Sequence, residues 1–240
     1  GISIQPSEFA KLCLIITLST LTYIFKTKNK IKKFPKITSG IIMFSTFVYM
    51  ILILFERAFS STAQITIIGL TYLFISEVKF SIITTYTTII GIGGWLTVTN
   101  TGYRVNRLIE YKSKDGGGQT AESLIAIANG KFSGRFYGNG LQKYNFLPEI
   151  NTDYVFSGFA EENGFLGVLF LLGLYAALLI IIGIALRKIK DLYAKYLLSG
   201  IFIMLATQII GNVAVASQLI PSTGIPLPLM SYGGSTMIVV

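Results

Sequence analysis

Two carboxylates four residues apart, Glu149 and Asp153, stand shortly before a long apolar run that begins near Gly164. A carboxylate at the edge of a low-dielectric region is partly desolvated. Desolvation disfavours the charged form and makes the group a better proton acceptor. The chain contains no histidine, so neither a catalytic His nor a His-ligated metal is available. Its single cysteine, Cys13, lies inside an apolar run and reads as a small buried residue. One cysteine can form neither an intrachain disulfide nor a Cys-rich zinc site. Acid–base chemistry therefore falls to Asp, Glu, Lys or Tyr. No GxGxxG or Walker pattern offers a phosphate cradle, and the Gly116-Gly117-Gly118 run reads as a joint.

Basic and aromatic residues share the stretch that carries the two carboxylates. Arg104 and Arg107 are three apart, so a helical continuation would put them on one face; Arg135 and Lys143 add positive charge. Tyr137, Tyr144, Phe146 and Tyr154 interleave with them. Basic groups at a membrane surface suit a phosphorylated lipid head group. Aromatic faces suit sugar rings. Each residue also has a plainer reading: a solvated surface charge for the bases, and an N-cap to the following helix for Asp153. The residues together point to a site for an anionic, lipid-linked ligand and leave the reaction open.

What positions this stretch is a set of apolar runs. Of the 240 residues 52% are hydrophobic and 13% charged, with mean hydropathy +0.65. Soluble domains carry about 25% charged residues, so a polytopic, all-α membrane bundle is expected. The net charge of +9 comes from bases gathered in short loops between apolar runs, which is the cytoplasmic-side pattern of membrane proteins rather than a nucleic-acid footprint. Lys26 to Lys36 holds six lysines and no acid, which places that loop in the cytoplasm.

Spans are expected near 8–25, 37–55, 62–76, 80–99, 164–186 and 196–220, most of them close to the ~20 residues that cross a bilayer. A further span begins near Ser235. Pro6 suits a first helical turn and Glu8 its positive end. Lys11 can pair with Glu8 or snorkel outward. Gly91-Ile-Gly-Gly94 would let helices approach closely, and Trp95 fits an interfacial belt. Carboxylates avoid the middle of every span, with Glu161 and Glu162 read as boundary residues. Gln208 and Asn212 read as an interhelical hydrogen-bonding pair. The chain thus divides into four spans (1–99), a large extracytoplasmic loop between the fourth and fifth spans (100–159), two spans (160–220), and a Pro/Gly-rich outer loop leading into a further span (221–240). Three prolines between Pro221 and Pro228 forbid a regular helix there. Opening without Met and closing on a new apolar run, the chain reads as part of a larger protein.

Several long motifs resemble one family. Gln5-Pro-Ser-Glu-Phe-Ala-Lys11, Tyr103-Arg-Val-Asn-Arg107, Glu122-Ser-Leu-Ile-Ala-Ile-Ala-Asn-Gly130, Gln142-Lys-Tyr-Asn-Phe-Leu-Pro-Glu149, Thr152-Asp-Tyr-Val-Phe156, Glu161-Glu-Asn-Gly-Phe165 and Pro221-Ser-Thr-Gly-Ile-Pro-Leu-Pro228 with Ser231-Tyr-Gly-Gly234 are similar to motifs of the FtsW/RodA/SpoVE (SEDS) family. They run in the family's order and correspond to its spans four to the start of ten. The resemblance implies a peptidoglycan glycosyltransferase that polymerises lipid II at the outer face of the bacterial cytoplasmic membrane. It implies Asp153 as catalytic base. It implies a substrate-binding set of Arg104, Arg107, Lys143, Glu149, Gln142, Ser123, Glu8 and Lys11. It also implies a class B penicillin-binding transpeptidase as partner, in division, elongation or sporulation. A magnesium or manganese ion could assist at the lipid diphosphate, although no ligand spacing demands one. Two other roles fit the same cavity: a lipid II flippase, or a non-catalytic scaffold for the penicillin-binding protein. The chain departs from the family pattern at Phe136, where glycine is usual, at Glu122, at the Arg57-Ala58 turn, and in the Lys112–Gly118 linker.

Overall fold

The structure, a computed structural model, describes residues 5–28, 33–56, 59–99, 119–142 and 149–232. Arg104, Arg107, Lys143, Tyr144, Phe146, the Arg57-Ala58 pair, the whole Lys112–Gly118 linker with its glycine run and the start of a span at Ser235 lie outside these residues, as does the side chain of Trp95. The described residues form seven helices and no strand: α1 (Pro6–Thr27), α2 (Pro35–Phe55), α3 (Phe59–Ile75), α4 (Phe80–Thr99), α5 (Gln119–Gly130), α6 (Val155–Lys188) and α7 (Leu192–Ala216).

Helix α1 starts at Pro6, whose missing N–H costs nothing in a first turn. Its buried residues recur every three or four positions: Ser7, Glu8, Lys11, Leu14, Ile15, Leu18, Ser19, Thr22 and Phe25. This stripe packs against α2, α3 and α7. Cys13 falls off the stripe and is exposed, so the expectation of a buried cysteine is corrected by helical phase. Where α1, α3 and α7 meet, the Tyr72 hydroxyl donates to Tyr196 O at 2.9 Å and shares a 2.7 Å bond with Ser19 Oγ. Gly200 makes room for it, since a Cβ there would run into the hydroxyl.

Four helices have the length and hydropathy of a full span: Pro6–Thr27, Lys36–Leu54, Val155–Lys188 and Leu192–Ala216. Two of the six expected spans are shorter apolar helices, Ser60–Ile75 and Phe80–Gly94. The first, most of α3, packs against α1, α2 and α7. A helix so enclosed has protein rather than lipid around much of its surface, which relaxes the length requirement. The expected close approach at Gly91, Gly93 and Gly94 is not present: a Cβ at any of the three meets nothing within 4 Å among the described residues.

Contacts between loops fix which ends lie together. Lys26 Nζ pairs with Glu77 Oε1 at 2.9 Å, and the Tyr23 ring meets Tyr193 edge-on at 6.0 Å. The basic loops therefore share one end of the bundle. At the other end Asn212, late in α7, reaches Asp153 and Ile225.

Helix α6 is two helices joined at a break. Gly164 has φ 64° and ψ −167°, which only glycine adopts readily. The groups freed by the break find partners in the turn that follows α5. Phe165 N and Leu166 N donate to Lys131 O (3.0 Å) and Phe132 O (3.3 Å). Arg135 N and Phe136 N donate to Glu161 O (3.1 Å) and Glu162 O (3.0 Å). Such an approach excludes side chains. A Cβ on Gly130 would collide with Ala160 O, and one on Gly134 with Glu162 O. Phe136 follows this turn at φ 68°, a left-handed conformation that bulky residues avoid, with its ring 77% exposed.

Three outcomes follow for thermal unfolding in detergent. Gly130→Ala should destabilise by about 1–3 kcal/mol, because a backbone carbonyl cannot swing aside as a side chain can. Gly173→Ala, where a Cβ meets nothing within 4 Å, should stay within about 1 kcal/mol of the wild type. Phe136→Gly should raise the midpoint by the equivalent of roughly 1 kcal/mol, the cost of a left-handed L-residue. An unchanged or lower midpoint would show that the ring contributes more than the strain costs.

Candidate active site

The Asp153 turn is built on one carbonyl. Glu149 O accepts from the N–H groups of Thr152 (3.2 Å), Asp153 (3.1 Å) and Tyr154 (3.1 Å). The Glu149 carboxylate accepts from Thr152 Oγ1 at 2.8 Å and is exposed. The pair of carboxylates is therefore asymmetric. Glu149 closes the turn, and Asp153, half-buried, projects from it. The N-cap of α6 is Tyr154, without a side-chain cap bond of its own. Asp153 sits one residue before the N-cap of α6. Tyr154 is 1% exposed and offers no face to a sugar, whereas Tyr137 is exposed.

A loop closes over the carboxylate. Gly224 has φ 69°, and a Cβ there would stand 3.3 Å from Asp153 Oδ2. Asn212 Nδ2 donates at 2.7 Å both to Asp153 O and to Ile225 O. Ser231 Oγ accepts from Leu227 N at 2.7 Å and donates to Thr152 O at 2.6 Å, and Tyr232 N donates to Asn151 O at 2.8 Å. The proline-rich stretch 221–228 is non-helical, as three prolines require.

Four of the substrate-binding residues expected from the sequence are interior braces. Lys11 Nζ pairs with Glu8 Oε1 at 2.6 Å, with side chains 1% and 2% exposed, and donates to Gln64 Oε1 at 2.7 Å. Gln208 Nε2 lies 3.5 Å from Glu8 Oε2. This buried group joins α1, α3 and α7, and Lys11 does not snorkel. Ser123 donates to Ala216 O at 2.8 Å and stands 2.5 Å from Ser157 Oγ. Its one proton is thereby used, so Ser157 is the donor within the serine pair. The bonds tie α5, α6 and α7 together. Gln142 is buried, and its N–H donates to Glu161 Oε2 at 3.2 Å. Internal partners hold the side chains of Glu8, Lys11 and Ser123, whereas Gln142 is held by its backbone N–H and its side-chain Oε1 has no partner among the described residues. The structure brings Asp153, Glu149 and the 221–232 loop together; Glu8 and Lys11 join them only through Gln208 and Asn212 on α7.

Glu161 stands just before the break at Gly164, at the boundary where the sequence placed it, and has a structural role that the sequence did not show. It lies inside α6, fully buried, and its carboxylate accepts from Leu141 N (3.1 Å) and Gln142 N (3.2 Å). It holds the segment that leads to Lys143. Two acids in a row, Glu161 and Glu162, just before the apolar run were the available signal. No group of three or more His, Cys, Asp or Glu side chains that could hold a metal converges among the described residues.

Comparison with known proteins agrees with this architecture. The FtsW/RodA/SpoVE family, described as cell cycle protein, matches residues 1–240. The probable peptidoglycan glycosyltransferase FtsW of Halothiobacillus neapolitanus is 32% identical over 248 residues, covering 99% of this chain and 59% of its own. Stage V sporulation protein E of Bacillus subtilis is 32% identical over 244 residues, covering 98% and 65%. A chain from a structure described as structural coordination of polymerization and crosslinking by a peptidoglycan synthase complex superposes with TM-score 0.75 at 24% identity, over 98% of this chain and 66% of that one. The rod shape determining protein RodA of Thermus thermophilus superposes with TM-score 0.64 at 25% identity, over 98% and 61%. The chain spans 59% of the length of the first of these relatives. By sequence along its whole length and by fold, this chain belongs to the FtsW/RodA/SpoVE family.

Proposed function

We propose that the protein is a peptidoglycan glycosyltransferase that polymerises lipid II at the outer face of the bacterial cytoplasmic membrane. The observation that carries the reading is the placement of Asp153: half-buried, at the N-terminus of α6, on a turn at the opposite end of the bundle from the lysine-rich loops. Basic loops mark the cytoplasmic side, so the Asp153 end faces outward, where lipid-linked disaccharide is polymerised. The names of the relatives support the reaction class.

In this reading the Asp153 carboxylate takes the proton of the acceptor sugar's 4-hydroxyl. The oxygen attacks the donor's anomeric carbon as the bond to the diphosphate breaks. Undecaprenyl diphosphate departs with the bonding pair, and the configuration at carbon inverts. Arg104, Arg107 and Lys143 stabilise the charge that grows on the leaving group, where preorganised cations count most. Glu149, bonded to Thr152, shapes the turn, and Glu161 holds Leu141 and Gln142, the residues that precede Lys143 in sequence. The described residues do not supply a resident metal site. A magnesium or manganese ion would enter with the diphosphate, which supplies the oxygen ligands it prefers, and the proton transfer runs through Asp153. A class B penicillin-binding transpeptidase is the partner that would crosslink the product, in division, elongation or sporulation.

The test is glycan synthesis from labelled lipid II by the full-length protein with its transpeptidase partner, read on gels. Asp153→Asn should reduce polymerisation by at least ~10²-fold, as expected for loss of a general base. Near-normal chains from this variant would sink the assignment and return the flippase and scaffold readings to the front. Arg107→Gln should lower turnover by about 10–100-fold, with a smaller effect on lipid II binding, because the charge on the diphosphate increases as its bond to the sugar breaks. A change in KM alone would instead make Arg107 a ground-state contact.

A further inference from the structure

Three consecutive carbonyls of the Asp153 turn are each held from outside it. Asn151 O accepts from Tyr232 N, Thr152 O from Ser231 Oγ, and Asp153 O from Asn212 Nδ2, all at 2.6–2.8 Å. From inside, three successive N–H groups converge on Glu149 O. The backbone of the turn is fixed on both sides. An exposed turn needs nothing of the kind, since water would satisfy its carbonyls.

Two of the outside donors are side chains that bridge. Asn212 spends both N–H groups, one on Asp153 O and one on Ile225 O. Ser231 accepts from Leu227 N and donates to Thr152 O. Each has one hand on the turn and one on the 221–232 loop. That loop also brings Gly224 against the Asp153 carboxylate. The arrangement carries a cost. Asn212 is fully buried, and its Oδ1 has no partner among the described residues. An unsatisfied buried acceptor is unfavourable, and a residue that breaks a local rule of stability in this way is expected at a functional site.

We infer that Asn212 and Ser231 are positioning residues for Asp153, locking the turn to the 221–232 loop so that the carboxylate meets the acceptor hydroxyl in one orientation. The inference rests on the reading of Asp153 as general base. Neither side chain reaches the reacting atoms. Each acts through the backbone of the turn, where a displacement of the order of 1 Å can cost ~10²-fold in rate. The lock reaches deeper through α7. Gln208, one turn before Asn212, meets the buried Glu8–Lys11 pair, so the rotation of α7 that aims Asn212 is set inside the bundle.

The test uses the full-length protein with its transpeptidase partner, supplied with lipid II, and measures turnover, KM and amide hydrogen exchange together. Asn212→Ala and Ser231→Ala should lower kcat about tenfold or more while KM stays within roughly twofold. Ser231→Thr, which keeps the hydroxyl, should recover most of the loss. Exchange should quicken at Leu227 and across 152–154 in Ser231→Ala. Asp153→Asn should leave exchange as in the wild type while turnover disappears. Ser231→Ala removes a single oxygen and is the variant to rely on should Asn212→Ala fail to accumulate. Faster exchange with turnover retained would overturn the positioning role and leave Asp153 standing. Unchanged exchange in Ser231→Ala would overturn the lock itself. Activity retained in Asp153→Asn would overturn the underlying reading, whatever the exchange shows.

Discussion

The constraint on which the outer half of the structure depends is the break in α6 at Gly164. A helix interrupted beside an apolar bundle leaves backbone donors and acceptors that neither lipid nor side chains can satisfy. Here the turn after α5 satisfies them, through Lys131, Phe132, Arg135 and Phe136. That exchange docks α5 onto α6 at backbone contact distance, which is why Gly130, Gly134 and Gly164 stand where they do. Glu161, at the break, then holds Leu141 and Gln142. The described parts of the polar stretch, residues 119–142 and 149–159, are bonded to the bundle.

The inner half is organised by polar groups of a different kind. Glu8, Lys11, Gln64 and Gln208 form a buried cluster across three helices. A buried ion pair is a weak source of net stability, because desolvation offsets most of the attraction. Removing one partner is still costly, at about 3–5 kcal/mol, since the other charge is left bare. Such a cluster tolerates one rotation of α1, α3 and α7 and penalises others. Its placement one turn below Asn212 links helix packing to the geometry of the Asp153 turn.

Glu149 and Asp153 show how a shared environment separates two like residues. They are of one chemical type, four positions apart. The turn uses the carbonyl of Glu149 three times and its carboxylate once. Asp153 gives its N–H to the turn and its C=O to Asn212, so its backbone is fixed while its carboxylate faces the loop at Gly224. One acid is spent on structure, and the other is presented.

The sequence by itself determined the membrane class, the apolar helices though not α5, the end of the bundle that carries the lysines, and the motif that contains Asp153. Hydropathy, charge and proline content are local properties, and a bilayer converts them directly into spans and sidedness. It also showed that Glu8 and Lys11 could pair, because i,i+3 is a local relation. Only the tertiary structure decided the rest. Asn212 meets Asp153 across 59 positions and Ser231 meets Thr152 across 79. Gly164 reads as one small residue among many until the turn that completes its hydrogen bonds is beside it. Cys13 turned outward and Tyr154 inward, because each depends on which neighbour a helix face meets. Periodicity gives the face; only packing says what lies opposite it.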